Sequence, residues 1–240
     1  MNPIQCVRLA SILTVSVLWS QGCESAGKGE DEVAEPAQPA SYLALGDSYT
    51  IGESVDSTLR WPVQLAGLLR AEGTAVRDPL IIARTGWTTD ELAAGIREES
   101  PQGPYGMVSL LIGVNNQYRG RELEEYREQF RALLSQAVSF AGGDPSRVLV
   151  LSIPDWGVMP FARERDREAI SREIDAFNQV NREESVDFGA RYVDVTGISR
   201  AAGSDPSLVA EDGLHPSGAQ YALWAGAALQ AANQILAPGR

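Results

Sequence analysis

The chain has 240 residues, of which 44% are hydrophobic, enough to bury one substantial core; this length favours a single folded domain. Its 32 Asp and Glu residues against 20 Lys and Arg residues give a formal net charge of -12. Because such a surface repels phosphate backbones, the composition argues against a nucleic acid partner.

The N-terminus is typical of an export signal. Arg8 supplies a positive charge, and the segment 9–19 that follows is apolar apart from one threonine and two serines. This run is too short to span a bilayer and suits the hydrophobic part of a signal peptide. Residues 1–22 are therefore interpreted as a signal peptide.

The end of this signal resembles the lipobox of bacterial lipoproteins, in which a small residue precedes a cysteine that carries lipid after cleavage. Gly22 precedes Cys23 here, but Ser20 stands where a lipobox usually has leucine. The resemblance implies a lipid anchor on Cys23 and a cell-envelope protein, with its domain in the periplasm or at the cell surface. An ordinary secretory signal cut nearby and an uncleaved anchor are the alternatives.

A polar linker is predicted between the signal and the domain. Residues 24–40 consist mainly of Gly, Glu, Asp, Ala, Gln and Pro, so the segment 23–40 is expected to be an extended, self-repelling tether. The folded domain is assigned to residues 41–240. Cys6 and Cys23 are the only cysteines, so no disulfide framework is available to that domain.

From Ser41 onwards, short apolar runs alternate with longer stretches of helical period. This pattern predicts an α/β domain in which helices cover both faces of a mainly five-stranded parallel sheet. The predicted strands are 42–45, 75–83, 107–112, 148–153 and 191–195. The predicted helices are 61–72, 88–98, 122–141, 166–188 and 217–236.

The loops that follow the strands are the candidate functional region, because open parallel sheets bind ligands at the carboxyl ends of their strands. Segments 46–50, 84–87 and 113–116 follow the first three predicted strands, and segment 212–216 precedes the last helix.

These loops contain the residue types of a serine hydrolase. His215 is the only histidine, and Asp212 lies three residues before it, within reach across a tight turn. Histidine can take a proton from a hydroxyl near neutral pH, and a carboxylate orients the imidazole and stabilises its charged form. Ser48 lies in a Gly-Asp-Ser turn directly after the first strand. A lone histidine before a helix is more often a surface or core residue, and Ser48 shifts the balance towards catalysis.

The loops also resemble the conserved blocks of the SGNH, or GDSL, hydrolase family. Segment 46–48 matches the first block, Gly86 is the candidate for the glycine of the second, segment 113–115 matches most of the Gly-x-Asn-Asp block, and 212–216 matches Asp-x-x-His-Pro. The resemblance covers residues 41–236. It implies a three-layer α/β/α domain of flavodoxin-like type, catalysis by Ser48, His215 and Asp212, and no cofactor. Neither a Gly-x-Ser-x-Gly elbow nor a cluster of metal ligands is present in the sequence, so no metal is expected.

The same resemblance implies an oxyanion hole formed by the backbone N–H groups of Ser48 and Gly86 and the side chain of Asn115. The chain departs from the family at Asn116, where aspartate is usual. We interpret Asn116 as a changed support for the oxyanion loop that leaves the nucleophile and base untouched.

Other residues near these loops have less specific interpretations. Asp47 is expected to bond nearby backbone rather than move protons. Arg119, Arg121 and Arg127 are interleaved with glutamates, so ion pairs on a solvated helix are expected rather than an anionic substrate site. Five aromatic residues can line an acyl or sugar pocket, or belong to the core and rim: Tyr49, Trp87, Tyr118, Trp156 and Phe161.

The sequence therefore predicts an exported serine esterase that hydrolyses acyl or acetyl esters of lipids or glycans. The alternative is a lipoprotein that kept this fold without turnover and binds a glycan or acyl chain. The presence of Ser48, His215 and Asp212 favours the enzyme.

Overall fold

A computed structural model describes residues 38–237. The predicted signal peptide, Cys23 and most of the predicted tether lie outside the described residues. Among the described residues, none of the helices combines the length and the apolar character needed to span a membrane.

A parallel sheet forms the centre of the domain. Its five strands are β1 (Tyr42–Gly46), β2 (Leu80–Ala83), β3 (Met107–Leu111), β4 (Val148–Leu151) and β5 (Arg191–Val193). The strand order is β2-β1-β3-β4-β5, and every neighbouring pair is parallel. All residues of β1, β3 and β4 are buried, as expected of apolar strands that helices cover on both faces. The predicted α/β/α architecture is confirmed.

Eight α-helices surround this sheet in the described part of the chain: α1 (Ser48–Ile51), α2 (Trp61–Ala71), α3 (Thr89–Glu99), α4 (Val114–Tyr118), α5 (Leu123–Phe140), α6 (Arg167–Phe188), α7 (Thr196–Ala201) and α8 (Gly218–Leu236). Helices α2 and α8 pack on each other, while α5 packs against both α3 and α6. The buried stripe of α5 contains Tyr126, Phe130, Leu133, Leu134 and Ala137, in agreement with the helical period of the sequence.

The strand order places a switch point between β1 and β3. The chain leaves β1 for β2 on one side and later returns to β3 on the other side of β1. In doubly wound sheets, the loops diverge at such a point and leave a crevice beyond the carboxyl ends of the two strands. The residues that follow β1 and β3 here include Ser48 and Asn115.

The main differences from the predicted elements are at strand ends. The predicted strand 75–83 forms only the four residues of β2, because Pro79 has no N–H to donate; upstream, Val76 makes a single bridge to Ala40. The other predicted strands and the long helices differ by one or two residues at their ends.

Candidate active site

Ser48 is placed by a sharp turn between β1 and α1. A Cβ at Gly46 would lie 2.2 Å from Thr50 Oγ1 and 2.5 Å from the Leu111 carbonyl oxygen, so the turn has room only for glycine. Asp47 caps α1 by accepting a hydrogen bond from the Tyr49 N–H at 3.0 Å. Ser48 is then the first helical residue and is almost completely buried.

His215 and Asp212 form the predicted carboxylate-imidazole pair. His215 Nδ1 lies 2.6 Å from Asp212 Oδ2, and the His215 ring is largely buried beside the Tyr49 ring, with centroids 5.2 Å apart. Because Nδ1 is bound to the carboxylate, Nε2 is the ring nitrogen that remains to accept a proton. His215 and Ser48 line the same cavity.

The Asp212 carboxylate accepts three further hydrogen bonds. Its Oδ1 accepts the backbone N–H groups of Leu214 and His215, each at 2.9 Å, and its Oδ2 also accepts the Ser54 hydroxyl at 2.7 Å. Burial by itself raises the pKa of Asp212, but the hydrogen bonds from His215, Leu214 and Ser54 outweigh it and lower that pKa well below its usual value. The carboxylate therefore stays charged beside the imidazole.

Ser54 was not predicted from the sequence. It lies 158 residues from Asp212 and adopts a φ of +64°, an uncommon conformation for a residue with a side chain. No local motif indicates this contact, because it depends on the loop after α1 meeting the loop before α8.

Two backbone donors of the implied oxyanion hole make no hydrogen bond within the described part of the chain. The N–H groups of Ser48 and Gly86 have no acceptor among residues 38–237. Gly86 has a φ of +87°, which glycine adopts without strain, and its carbonyl accepts a hydrogen bond from Arg119 at 2.6 Å. Arg119 thereby anchors the Gly86 loop, a role that the sequence did not indicate.

Asn115 supplies the side chain of the same region. Its Nδ2 donates to the Trp87 carbonyl at 3.0 Å, which fixes the plane of the amide, and lies 3.4 Å from Asp47 Oδ2. The second contact is long for a hydrogen bond, so this N–H is available to a stronger acceptor.

Asn116 supports the loop from behind. Its Oδ1 accepts the Thr89 N–H at 3.1 Å, and its Nδ2 donates to the Thr89 hydroxyl oxygen at 2.7 Å. Thr89 in turn donates its hydroxyl proton to Gln129. An aspartate at position 116 has no side-chain N–H to donate, so it would accept the Thr89 hydroxyl proton in place of Gln129. With asparagine, the Thr89 hydroxyl accepts from residue 116 and can donate to Gln129 instead. These contacts join the loops after β2 and β3.

Asp47 is completely buried between these groups. Burial raises the pKa of Asp47 to about 7, against the lowering effect of the hydrogen bonds from Tyr49 and Asn115. Its contacts are those of a helix cap, and it lies beside Asn115 rather than His215.

The cavity beside Ser48 has a volume of about 190 Å³ and an apolar lining. Its lining residues are Ser48, Tyr49, Val114, Asn115, Tyr118, Trp156, Phe161, Leu214 and His215. Four of the five aromatic candidates therefore line it. The exception is Trp87, whose ring packs on α3 at Gly95.

Arg119, Arg121 and Arg127, for which ion pairs on a helix are expected, are all paired with carboxylates, although Arg119 and Arg127 also reach other elements. Arg119 bonds Glu91, Arg121 bonds Glu125, and Arg127 bonds the α6 residues Glu183 and Glu184. Within residues 38–237, no group of three or more His, Cys, Asp or Glu side chains is arranged to hold a metal ion.

The fold is shared with several solved structures. The TesA structure has a TM-score of 0.63 at 20% sequence identity, over 82% of this chain and 99% of TesA. The acetylxylan esterase Axe2 from Geobacillus stearothermophilus gives 0.60 at 18% identity, over 84% and 96% of the two chains. The esterase EstA from Pseudoalteromonas sp. gives 0.59 at 17% identity, over 82% and 98%. At these identities the likeness concerns the fold.

The sequence itself gives the family. A comparison with curated proteins yields no match. The model of the GDSL-like lipase/acylhydrolase family, however, matches residues 44–223, which include all the loops described above. The chain therefore belongs to the GDSL-like lipase/acylhydrolase family, as the blocks of its sequence predict, and is an esterase of the SGNH type.

Proposed function

We propose that the chain hydrolyses carboxylic esters through an acyl-enzyme on Ser48, with His215 as general base and Asp212 as the group that orients it. The observation that carries the proposal is the 2.6 Å contact of Asp212 with His215 at the wall of a cavity that Ser48 also lines. The N–H groups of Ser48 and Gly86, which no acceptor among residues 38–237 engages, support it, because acyl transfer needs donors where negative charge develops.

In the first half-reaction, His215 Nε2 takes the proton of the Ser48 hydroxyl while Oγ bonds to the ester carbonyl carbon. The carbonyl electrons move to its oxygen, which the N–H groups of Ser48 and Gly86 and the Asn115 amide stabilise. His215 then gives its proton to the alkoxide as the carbon–oxygen bond breaks. In the second half-reaction, water attacks the acyl group in the same way and releases the acid and Ser48.

The substrate class that we propose is acyl or acetyl esters of lipids or glycans. The family supports lipase and acylhydrolase chemistry, and the structurally similar Axe2 is an acetylxylan esterase. The apolar cavity fits the uncharged part of such an ester.

The test is covalent labelling together with turnover of an aryl ester. An aryl phosphonate should add one phosphonyl group to the Ser48 peptide, as read by mass spectrometry. Ser48→Ala should abolish the labelling and lower kcat by several orders of magnitude. Ser135→Ala removes an exposed serine on α5 and should change neither. Labelling at another residue, or full turnover in Ser48→Ala, contradicts the proposal.

We also propose that Cys23 carries lipid and anchors the protein to a membrane of the cell envelope. The proposal rests on the apolar segment 9–19 and the small residue before the cysteine. In a bacterial host, Cys23→Ala should move the protein from the membrane fraction to the soluble fraction, whereas Cys6→Ala should not. Membrane-bound Cys23→Ala protein, or a mature Cys23 peptide without added lipid mass, would refute the anchor.

A further inference from the structure

The walls of the cavity beside Ser48 carry no charged side chain. Apart from Ser48, Asn115 and His215, its lining consists of aromatic and aliphatic residues. Tyr118, Trp156 and Phe161 contact one another there, with ring centroids 5.3 Å, 6.1 Å and 6.4 Å apart. Arg165 lies over the Tyr118 ring, 5.6 Å from its centroid, so a cation stands at the outer wall. Among the lining residues themselves a charged ligand group would find no ion-pair partner and would lose its hydration.

Trp156 forms a fixed inner wall. It is only 3% exposed, and its Nε1–H donates to Gln117 Oε1 at 2.7 Å, while Gln117 donates to Glu173 at 2.6 Å. Since the polar atom of the indole is satisfied by α4, the ring is held in place and offers carbon surface to the cavity. Tyr118 and Phe161 are each 45% exposed and form the outer wall.

The topology places this aromatic wall away from the loop that carries Gly86. Gly86 follows β2, on one side of β1, whereas Tyr118 follows β3, and Trp156 and Phe161 follow β4, on the other side. A carbonyl oxygen that points to the N–H groups of Ser48 and Gly86 therefore leaves the aromatic side to a carbon substituent of the ester.

We propose that this cavity binds the acyl part of the substrate and selects an uncharged chain of about four to eight carbons. The inference rests on the proposed acyl-enzyme at Ser48. A cavity of about 190 Å³, against about 30 Å³ for one water molecule in the liquid, has room for a short chain and not for the whole of a long one. An acetyl group leaves most of the aromatic surface exposed to water, and a much longer chain extends past Phe161 into solvent.

Each methylene that enters the cavity should raise kcat/KM by about fourfold until the chain reaches the outer wall. The rise from acetyl to hexanoyl, four methylenes, should thus be roughly 250-fold, with no further gain from dodecanoyl to palmitoyl.

The experiment measures kcat/KM of the full-length protein on nitrophenyl esters from acetyl to palmitoyl, so that the leaving group is constant. Trp156→Ala should move the optimum to longer chains and reduce the preference for hexanoyl over acetyl by about tenfold or more. Phe161→Ala, at a position 45% exposed, should reduce the same ratio by a smaller factor. Phe188→Ala, at the far end of α6, is the matched control and should leave the ratio unchanged.

A second series of alkyl acetates varies the alcohol instead. Selectivity for the length of the alcohol but not of the acyl chain would overturn the inference, and so would a flat acyl series or a maximum at acetyl. In these cases, release of nitrophenol that depends on Ser48 would leave the proposed function intact. Absence of Ser48-dependent release from every ester would overturn the proposed function, and the inference with it.

Discussion

Asp212 divides its two oxygens between the backbone and the His215 ring. Oδ1 accepts two backbone N–H groups, and Oδ2 accepts the ring and the Ser54 hydroxyl. No backbone carbonyl among the described residues bonds to the ring of His215, so the orientation and tautomer of His215 depend on this carboxylate.

Asp212→Asn should therefore lower activity severely. The amide oxygen is expected to keep the backbone N–H groups of Leu214 and His215, which turns the amide NH₂ towards Nδ1. His215 must then carry its proton on Nε2, where it cannot accept the Ser48 proton. We expect kcat on an aryl butyrate to fall by about 10³- to 10⁴-fold with little change in KM. A loss below tenfold would show that Asp212 does not set the tautomer.

Ser54 offers a test that separates its hydroxyl from its backbone. Ser54→Ala and Ser54→Gly both remove the hydrogen bond to Asp212, so both should lower kcat by about three- to tenfold, a modest loss because the contact is exposed. Glycine is unstrained at a φ of +64°. The free energy of unfolding, measured in urea, should therefore be higher for Ser54→Gly than for Ser54→Ala, by about 1 kcal/mol. A wild-type kcat in both variants would show that the Ser54 hydroxyl does not support catalysis. Equal stability of the two variants would show that the backbone at residue 54 is not strained.

For single residues, the sequence predicts those contacts of the site whose two partners lie close together in the chain. Asp212 and His215 are three residues apart, and Ser48 follows a recognisable strand and turn. The contacts of Ser54 with Asp212, of Arg119 with Gly86 and of Asn116 with Thr89 join different loops, and each forms only because the strands bring those loops together.

At the scale of elements, the sequence predicts the buried strands and the long helices well. Apolar runs give β1, β3 and β4, and helical period gives α5, α6 and α8. Short elements such as α4 and α7 were not predicted, because five or six residues are too few to show a helical period. Both lie in loops at the carboxyl ends of strands, so the predictions fail mainly around the site.

An ion cluster joins α5 to α6, and its buried member is Glu184. This carboxylate is 2% exposed and accepts hydrogen bonds from Arg127 at 2.5 Å and from Arg131, whose guanidiniums are partly exposed. Removing Glu184 leaves cations that water can solvate, while removing both arginines leaves a buried, unpaired carboxylate.

The double variant Arg127→Ala/Arg131→Ala should therefore lose more stability than Glu184→Ala. We expect about 3 kcal/mol or more for the double variant and about 1 to 2 kcal/mol for Glu184→Ala, from urea unfolding at neutral pH. Arg121→Ala, which breaks an exposed pair at the start of α5, serves as the control and should cost under about 1 kcal/mol. The reverse order of the two main variants would mean that the buried carboxylate is not the costly member.

At the scale of the whole molecule, the candidate site is a consequence of the strand order. The loops after β1, β2 and β3 meet at the switch point, and segment 212–216 brings His215 to them from beyond β5. The alternation of strands and helices predicts a parallel sheet, and the family resemblance predicts which loops meet. Neither indicates that the capping carboxylate of Asp47 is buried completely at this junction.

That burial couples the stability of the domain to pH. In the unfolded chain Asp47 ionises near its ordinary pKa of 3.8, while in the folded protein burial raises this pKa to about 7. Below pH 3.8 the carboxyl is protonated in both states and does not affect the free energy of unfolding. Between pH 3.8 and about pH 7, the unfolded chain releases the proton while the folded protein retains it, so the free energy of unfolding falls as the pH rises. Above about pH 7 this loss of stability stays constant.

Asp47→Asn should remove this pH-dependent loss, because an amide does not titrate. The difference in the free energy of unfolding between the variant and the wild type should shift in favour of the variant by a few kcal/mol, on the order of 1.4 kcal/mol per pKa unit, between about pH 4 and about pH 7. Any change in the contact with Asn115 adds an offset that does not vary with pH. Asp205→Asn is a control of opposite sign, because hydrogen bonds from Ser207 lower the pKa of that exposed carboxyl and its charge stabilises the fold as the pH rises. If urea unfolding shows the same pH dependence for Asp47→Asn and the wild type, the Asp47 carboxyl ionises as easily in the folded protein as in the unfolded chain, and this account of its burial is wrong.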